Sequence, residues 1–154
     1  MSEAVSRSIV DEFVKVYTVR DAEKIAAFLD DDVEWTISGP VDFLHFCGTH
    51  RGKPAVVDLI KKQIPKVLRT FAFAPSAILV DGDRLAMISR QSARRTSDGR
   101  VVSYRVANFM RFRNGKIVEN VSLLDTFDAV EQLVGQTINV NGRAFAAQGN
   151  VVAL

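Results

Sequence analysis

Asp125 and Asn108 are the residues of this chain whose types and surroundings best suit proton chemistry. Both lie in one stretch, YRVANFMRFRNGKIVENVSLLDTFDAVEQL, residues 104–133. A carboxylate in an apolar, water-poor hollow has its pKa raised by desolvation and can take a proton α to a carbonyl. An amide beside it can donate a hydrogen bond to the enolate oxygen that forms, although it cannot transfer a proton itself. His45 adds an imidazole that can shuttle the proton near neutral pH, and Tyr17 and Tyr104 add hydroxyl donors. Each residue also has a plainer use. Asp125 can serve as the N-cap of a short helix, Asn108 can satisfy a backbone group, Tyr17 and Trp35 can be core, and His45 and His50 can face solvent.

A hairpin must position the pair. Asn114-Gly115 separates two alternating runs and is the dipeptide best able to place two successive residues at positive φ. Period-two alternation puts Tyr104, Val106, Asn108, Met110 and Phe112 on one face and sends Arg105, Arg111 and Arg113 to the other. A two-residue turn continued in register predicts Phe112 opposite Ile117, Asn108 opposite Val121 and Tyr104 opposite Asp125. Glu119, Val121 and Asp125 then join Asn108 and Met110 on an apolar face with a few polar groups, the makeup of a small-molecule pocket wall. A one-residue slip would turn Glu119 and Asp125 outward.

The rest of the chain supplies the other walls. Val5, Ile9, Phe13, Val16 and Tyr17 recur at helical spacing over residues 3–18. A second, shorter helix follows Asp21 as N-cap, with Asp30–Asp32 in its exit loop, and Val33–Ile37 alternates as a strand carrying Trp35. Residues 38–52 read as an irregular loop whose Phe43, Leu44 and Phe46 fold over a pocket mouth. Pro54 opens a third helix, which Pro65 should kink or end. From Thr70 onward the pattern is strands, broken at Asp81-Gly82-Asp83, Asp98-Gly99 and Asn114-Gly115. Helices first and antiparallel strands afterward indicate an α+β fold. The residues expected to contact a ligand are Tyr17, Trp35, Phe43, Phe46, Tyr104, Met110 and Val121.

Composition bounds the possibilities. At 154 residues, with 47% hydrophobic and 25% charged side chains, the chain suits one globular domain. No apolar run approaches the roughly 20 residues that span a bilayer, and the opening residues make a poor signal peptide, so a cytoplasmic protein without membrane attachment is expected. The single cysteine, Cys47, excludes an internal disulfide. Its grouping with His45 and His50 has neither the number nor the spacing of a zinc site, so no metal and no cofactor are expected. Net charge is +2, yet residues 84–116 carry nine basic side chains against one acid, Asp98. That stripe can be a solvated sheet face, a subunit interface or an anion-binding surface. Nucleic acid is the weakest of its partners, because aromatics interleaved for base stacking are missing.

Taken together, DAEKIAAFLDDDVEW, GTHRGKPAV, MRFRNGKIVE and Asp125 with its short helix resemble the nuclear-transport-factor-2-like superfamily, in its SnoaL-like and ketosteroid-isomerase-like branch. The resemblance covers residues 5–134. It implies a cone-shaped α+β fold with three N-terminal helices on a curved, mainly antiparallel sheet. The domain is expected over residues 1–135, and 136–154 form a C-terminal extension with a possible hairpin at Asn141-Gly142 or a dimer arm. Asp125 falls where SnoaL-like cyclases carry an acid/base aspartate, and Asn108 lies near their oxyanion-stabilising group. Trp35 stands about where the isomerases place a general base, which argues against steroid isomerisation and leaves Asp125, Asp42 or His45 for that task. The resemblance implies a cofactor-free isomerase, cyclase or lyase acting on an apolar carbonyl compound, and a homodimer formed through the sheet face bearing Ala107 and Phe109. The same fold also hosts binding modules without catalysis.

Overall fold

In the computed structural model the described residues are 3–134. The extension expected over 136–154, with its Asn141-Gly142 hairpin, lies outside the described residues. Helix α1 spans Arg7–Thr18, capped by Ser6, whose hydroxyl accepts from the Ile9 amide. Its apolar stripe buries Val10, Phe13 and Tyr17. Helix α2 is a single turn and a half, Ala22–Ala26, with the Asp21 carboxylate accepting from the Lys24 amide at its start. Strand β1, Leu29–Ser38, begins earlier than the sequence suggests. Asp30–Asp32 are thus in a strand and not in a loop. They tolerate it because the β1–β6 pairing is irregular there, and because Asp30 pairs with Arg113 and Asp31 with Lys53.

The segment read as one long loop contains a second strand, β2, Gly48–Arg51, at the sheet edge. Helix α3, Lys53–Asp58, follows with Pro54 in its first turn, where a missing N–H costs nothing. It widens into a π-helical turn, Leu59–Gln63, and continues as α4, Ile64–Val67, with Pro65 near its start. The wide turn gives the proline ring the room that a regular helix would deny it.

Four long strands complete the fold: β3, Leu68–Asp81; β4, Arg84–Arg95; β5, Val101–Arg113; and β6, Lys116–Leu124. The sheet order is β2-β1-β6-β5-β4-β3, antiparallel except for the parallel β1–β6 pair. This is the expected α+β cone, an open curved mixed sheet with helices on its inner face. Phe13 marks the seam between them, packing its ring against Tyr17, Phe28 and Phe112. Helix α5, Thr126–Val134, docks at the end of β5. The Gln132 amide donates to the Ser103 carbonyl and accepts from the Ser103 amide, while buried Arg95 donates to the Gln132 and Leu133 carbonyls.

The decisive detail is in the β5–β6 hairpin. Asn114 and Gly115 both have positive φ, 51° and 73°. Arg113 pairs with Lys116, as the two-residue turn requires. Phe112 faces Ile117 as expected. Arg111 then faces Glu119, so Val118 is an extra residue and the register slips by one. Beyond it Asn108 lies opposite Ser122 and Phe109 opposite Val121. The inner face therefore receives Asn120 and Ser122, both buried, in place of Glu119, Val121 and Asp125.

Candidate functional site

The inner face of the cone closes around a cavity of about 30 Å³, room for about two water molecules. Its apolar wall includes Trp35, Ile37 and Phe46 from the β1–β2 side, Ile60 from the π-helical turn, Ile64 at the start of α4, and Leu68 at the start of β3. Its polar groups are Tyr17 at the end of α1, Arg20 from the turn after it, Gln91 on β4, Tyr104 on β5 and Ser122 on β6. Strand alternation explains the last three, which occupy inward positions of their strands.

Behind Ser122 is a buried amide cluster. The Asn108 amide donates to Ser122 Oγ at 2.7 Å, to Asn120 Oδ1 at 3.3 Å and to the Tyr17 hydroxyl at 3.5 Å. Asn120 also donates to Ser122 Oγ, at 3.0 Å. Asn108 Oδ1 is buried without a partner, as is the Ser89 hydroxyl. Orphaned polar atoms of this kind are uncommon in protein interiors and mark places where a further group can bind. Burial pushes the Tyr104 phenol far up, so it is a neutral donor across the physiological range.

Of the residues expected in the pocket, the structure brings together Tyr17, Trp35, Phe46 and Tyr104, with Asn108 just behind them. Asp125 is elsewhere. On the outer side of the sheet it accepts from Arg105 at 3.1 Å, its side chain 38% exposed, because the Val118 bulge reverses the phase of β6. Val121 is turned outward by the same slip and lines an outer hollow with Leu79 and Phe109. Met110 is buried on the inner face but is not part of the cavity wall. Phe43 is 67% exposed and covers nothing: residues 40–44 fold as a tight turn, with the Phe43 and Leu44 amides both donating to Pro40, and Leu44 is the residue turned inward. His45 is exposed, its Nδ1 donating to the Val41 carbonyl, and Asp42 is exposed as well. No carboxylate or imidazole lines the cavity among the described residues.

Sequence reasoning missed Arg20, Gln91, Asn120 and Ser122. A hint for Asn120 and Ser122 was the adjacent pair Ile117-Val118, two apolar residues where strict alternation allows one. Cys47 is buried and pushed up to about 11 by desolvation, too weak an acid to act as a nucleophile here. Among the described residues no group of His, Cys, Asp and Glu could hold a metal ion, and no helix is long and apolar enough to cross a membrane.

The arginine stripe is largely neutralised. Arg95 pairs with Asp98, Arg105 with Asp125, Arg111 with Glu119 and Arg113 with Asp30. Between these pairs the outer face exposes Leu79, Ile88, Phe109 and Leu123.

Comparison with known proteins places this geometry among relatives. A family model described as a SnoaL-like domain matches residues 10–120. A candidate isomerase from Rhodopseudomonas palustris is 31% identical, covering 83% of this chain and 94% of its own, with a TM-score of 0.71. An NTF2-like protein of unknown function from Burkholderia pseudomallei is 21% identical, covering 86% and 96%, also at 0.71. A hypothetical protein from Catenulispora acidiphila with a ketosteroid isomerase-like fold, in complex with trimethylamine, is 11% identical, covering 86% and 95%, at 0.67. No curated protein matches the sequence.

Proposed function

Because this chain belongs to the SnoaL-like domain family, we propose that its inner cavity binds a small, largely apolar carbonyl compound and that the protein is a cofactor-free isomerase, cyclase or lyase. The observation that carries this reading is the polar cluster set into the apolar wall: Tyr17, Tyr104 and Ser122 at the surface of the cavity, with Asn108 behind. The 31% identical relative from Rhodopseudomonas palustris, a candidate isomerase, supports the same class.

The chemistry is electrophilic. A neutral phenol held in a desolvated site donates to a carbonyl oxygen and stabilises the enolate that develops there, an effect worth roughly 3 kcal/mol per donor in a preorganised site. The proton lost from the α carbon passes to water admitted with the substrate, since no carboxylate lines the cavity among the described residues. Substrates must therefore carry an already acidic α C–H, as between two carbonyls. The cavity must also widen, because its volume of about 30 Å³ is far below the several hundred that drug-sized ligands occupy.

The lack of a carboxylate or imidazole among the described lining residues favours a second reading, a binding module without turnover. The two separate by exchange of the α protons of a cyclic 1,3-diketone in D2O, followed by NMR. Catalysis predicts exchange accelerated by the protein and slowed about 100-fold in Tyr104→Phe. Binding without acceleration establishes the module. We further propose a homodimer through the outer face, supported by the exposed Leu79, Ile88, Phe109 and Leu123 between paired charges.

A further inference from the structure

We propose that Arg20 makes the cavity a receptor for an organic carboxylate, its guanidinium holding the acid head while the apolar wall takes the body. The inference rests on the reading of the cavity as a ligand site and names the class of ligand.

Four observations converge on Arg20. It follows α1 at a φ of 57°, the left-handed conformation that glycine adopts freely and other residues only against a steric penalty. Its backbone amide closes the helix by donating to the Tyr17 carbonyl, a task that glycine performs as well. The side chain therefore offsets a backbone penalty without serving the cap. It reaches back over α1, its guanidinium 4.8 Å from the centre of the Tyr17 ring and 5.4 Å from that of Phe73, both within the range of a cation–π contact, and it lines the cavity. Nη1 is sealed from solvent and has no hydrogen-bond partner.

Arg20 forms no ion pair with any described residue, in contrast to Arg95, Arg105, Arg111 and Arg113. A buried guanidinium N–H without an acceptor is costly, and the group that best relieves it is planar, anionic and two-oxygened, matching the guanidinium fork. The residue as a whole is half-buried, so its charge is only partly desolvated. Among the described residues the other polar groups lining the cavity, Tyr17, Tyr104, Gln91 and Ser122, are neutral, so none of them repels an anion.

The test uses two matched pairs, acetate with acetamide and benzoate with benzamide, titrated against the whole protein by calorimetry. Trp35, the only tryptophan, provides fluorescence from the cavity wall as a second readout. The acid of a pair is expected to bind at least tenfold tighter than its amide. Arg20→Met, which keeps the stem, should abolish that preference and leave the amide's affinity within twofold, whereas Arg20→Lys should restore part of it. In Arg20→Gly the preference should vanish while the melting temperature rises, an opposition that a merely structural arginine does not produce. Equal affinity for acid and amide, or an acid preference that persists in Arg20→Met, overturns the carboxylate inference and leaves the cavity reading standing. Binding of none of the four probes overturns both.

Discussion

Arg105 and Asp125 meet at 3.1 Å on the outer side of the sheet, where the Asp125 amide also donates to the Arg105 carbonyl. The carboxylate best placed by the sequence for acid/base work is thereby a surface ion-pair partner. Asp125→Asn is expected to leave ligand affinity and any turnover within twofold of the parent. Because the pair is substantially exposed and screened, the loss in stability should be about 0–1 kcal/mol by urea denaturation. A hundredfold loss of turnover would return Asp125 to the mechanism.

Asn108 should behave in the opposite way. It is fully buried and its amide reaches three oxygens, so Asn108→Leu leaves Asn120 and Ser122 short of a donor inside the cone. The expected cost is about 1–3 kcal/mol in urea denaturation, together with weaker binding of carbonyl ligands. Unchanged stability would mean that the cluster repacks around the loss.

Acid should loosen α5 early. The Arg95 guanidinium beside Asp98 holds that carboxyl down to about 2 against an ordinary 3.8, chiefly by direct hydrogen bonding. A lowered folded pKa contributes stability that is present above the unfolded value and is lost as pH falls through the folded one, here between about pH 4 and pH 2. The same arginine holds the last carbonyls of α5, so amide exchange in residues 126–134 should rise across that window. Asp98→Asn should show the faster exchange at neutral pH and lose the pH dependence that the pair causes.

The proposed dimer is tested at Phe109, half-exposed on the outer face between paired arginines. Phe109→Asp is expected to sediment as a monomer while keeping its ligand affinity, since the side chain points away from the cavity. A parent protein that sediments as a monomer at micromolar concentration removes the dimer.

How much of this was legible in the sequence follows from which signals are local. The Asn114-Gly115 turn, the first helix and the Asp21 cap are decided by a few neighbouring residues, and each forms, although the helix expected over residues 3–18 starts only at Arg7, after the Ser6 cap. The inward positions of β5 follow from alternation alone. Strand β6 does not, because one extra residue at Val118 reverses every later side chain without altering composition or turn chemistry. Arg20 was hidden for a different reason: left-handed backbone is normally signalled by glycine, and a positively charged residue beside a helix end reads as ordinary surface. The exposure of Phe43 and burial of Leu44 depend on how residues 40–44 fold, which hydrophobicity along the chain does not encode.

The bulge at Val118 also sets how cheaply this scaffold can change its chemistry. Were Val118 drawn into regular pairing opposite Arg111, the same sequence would exchange its amide-and-hydroxyl lining for one bearing Glu119 and Asp125, whereas deleting Val118 would remove the bulge and keep Asn120 and Ser122 inward. A neutral receptor and an acid-bearing reaction chamber thus lie one step of register apart on the same frame, with the turn, the helices and the outer strands left as they are.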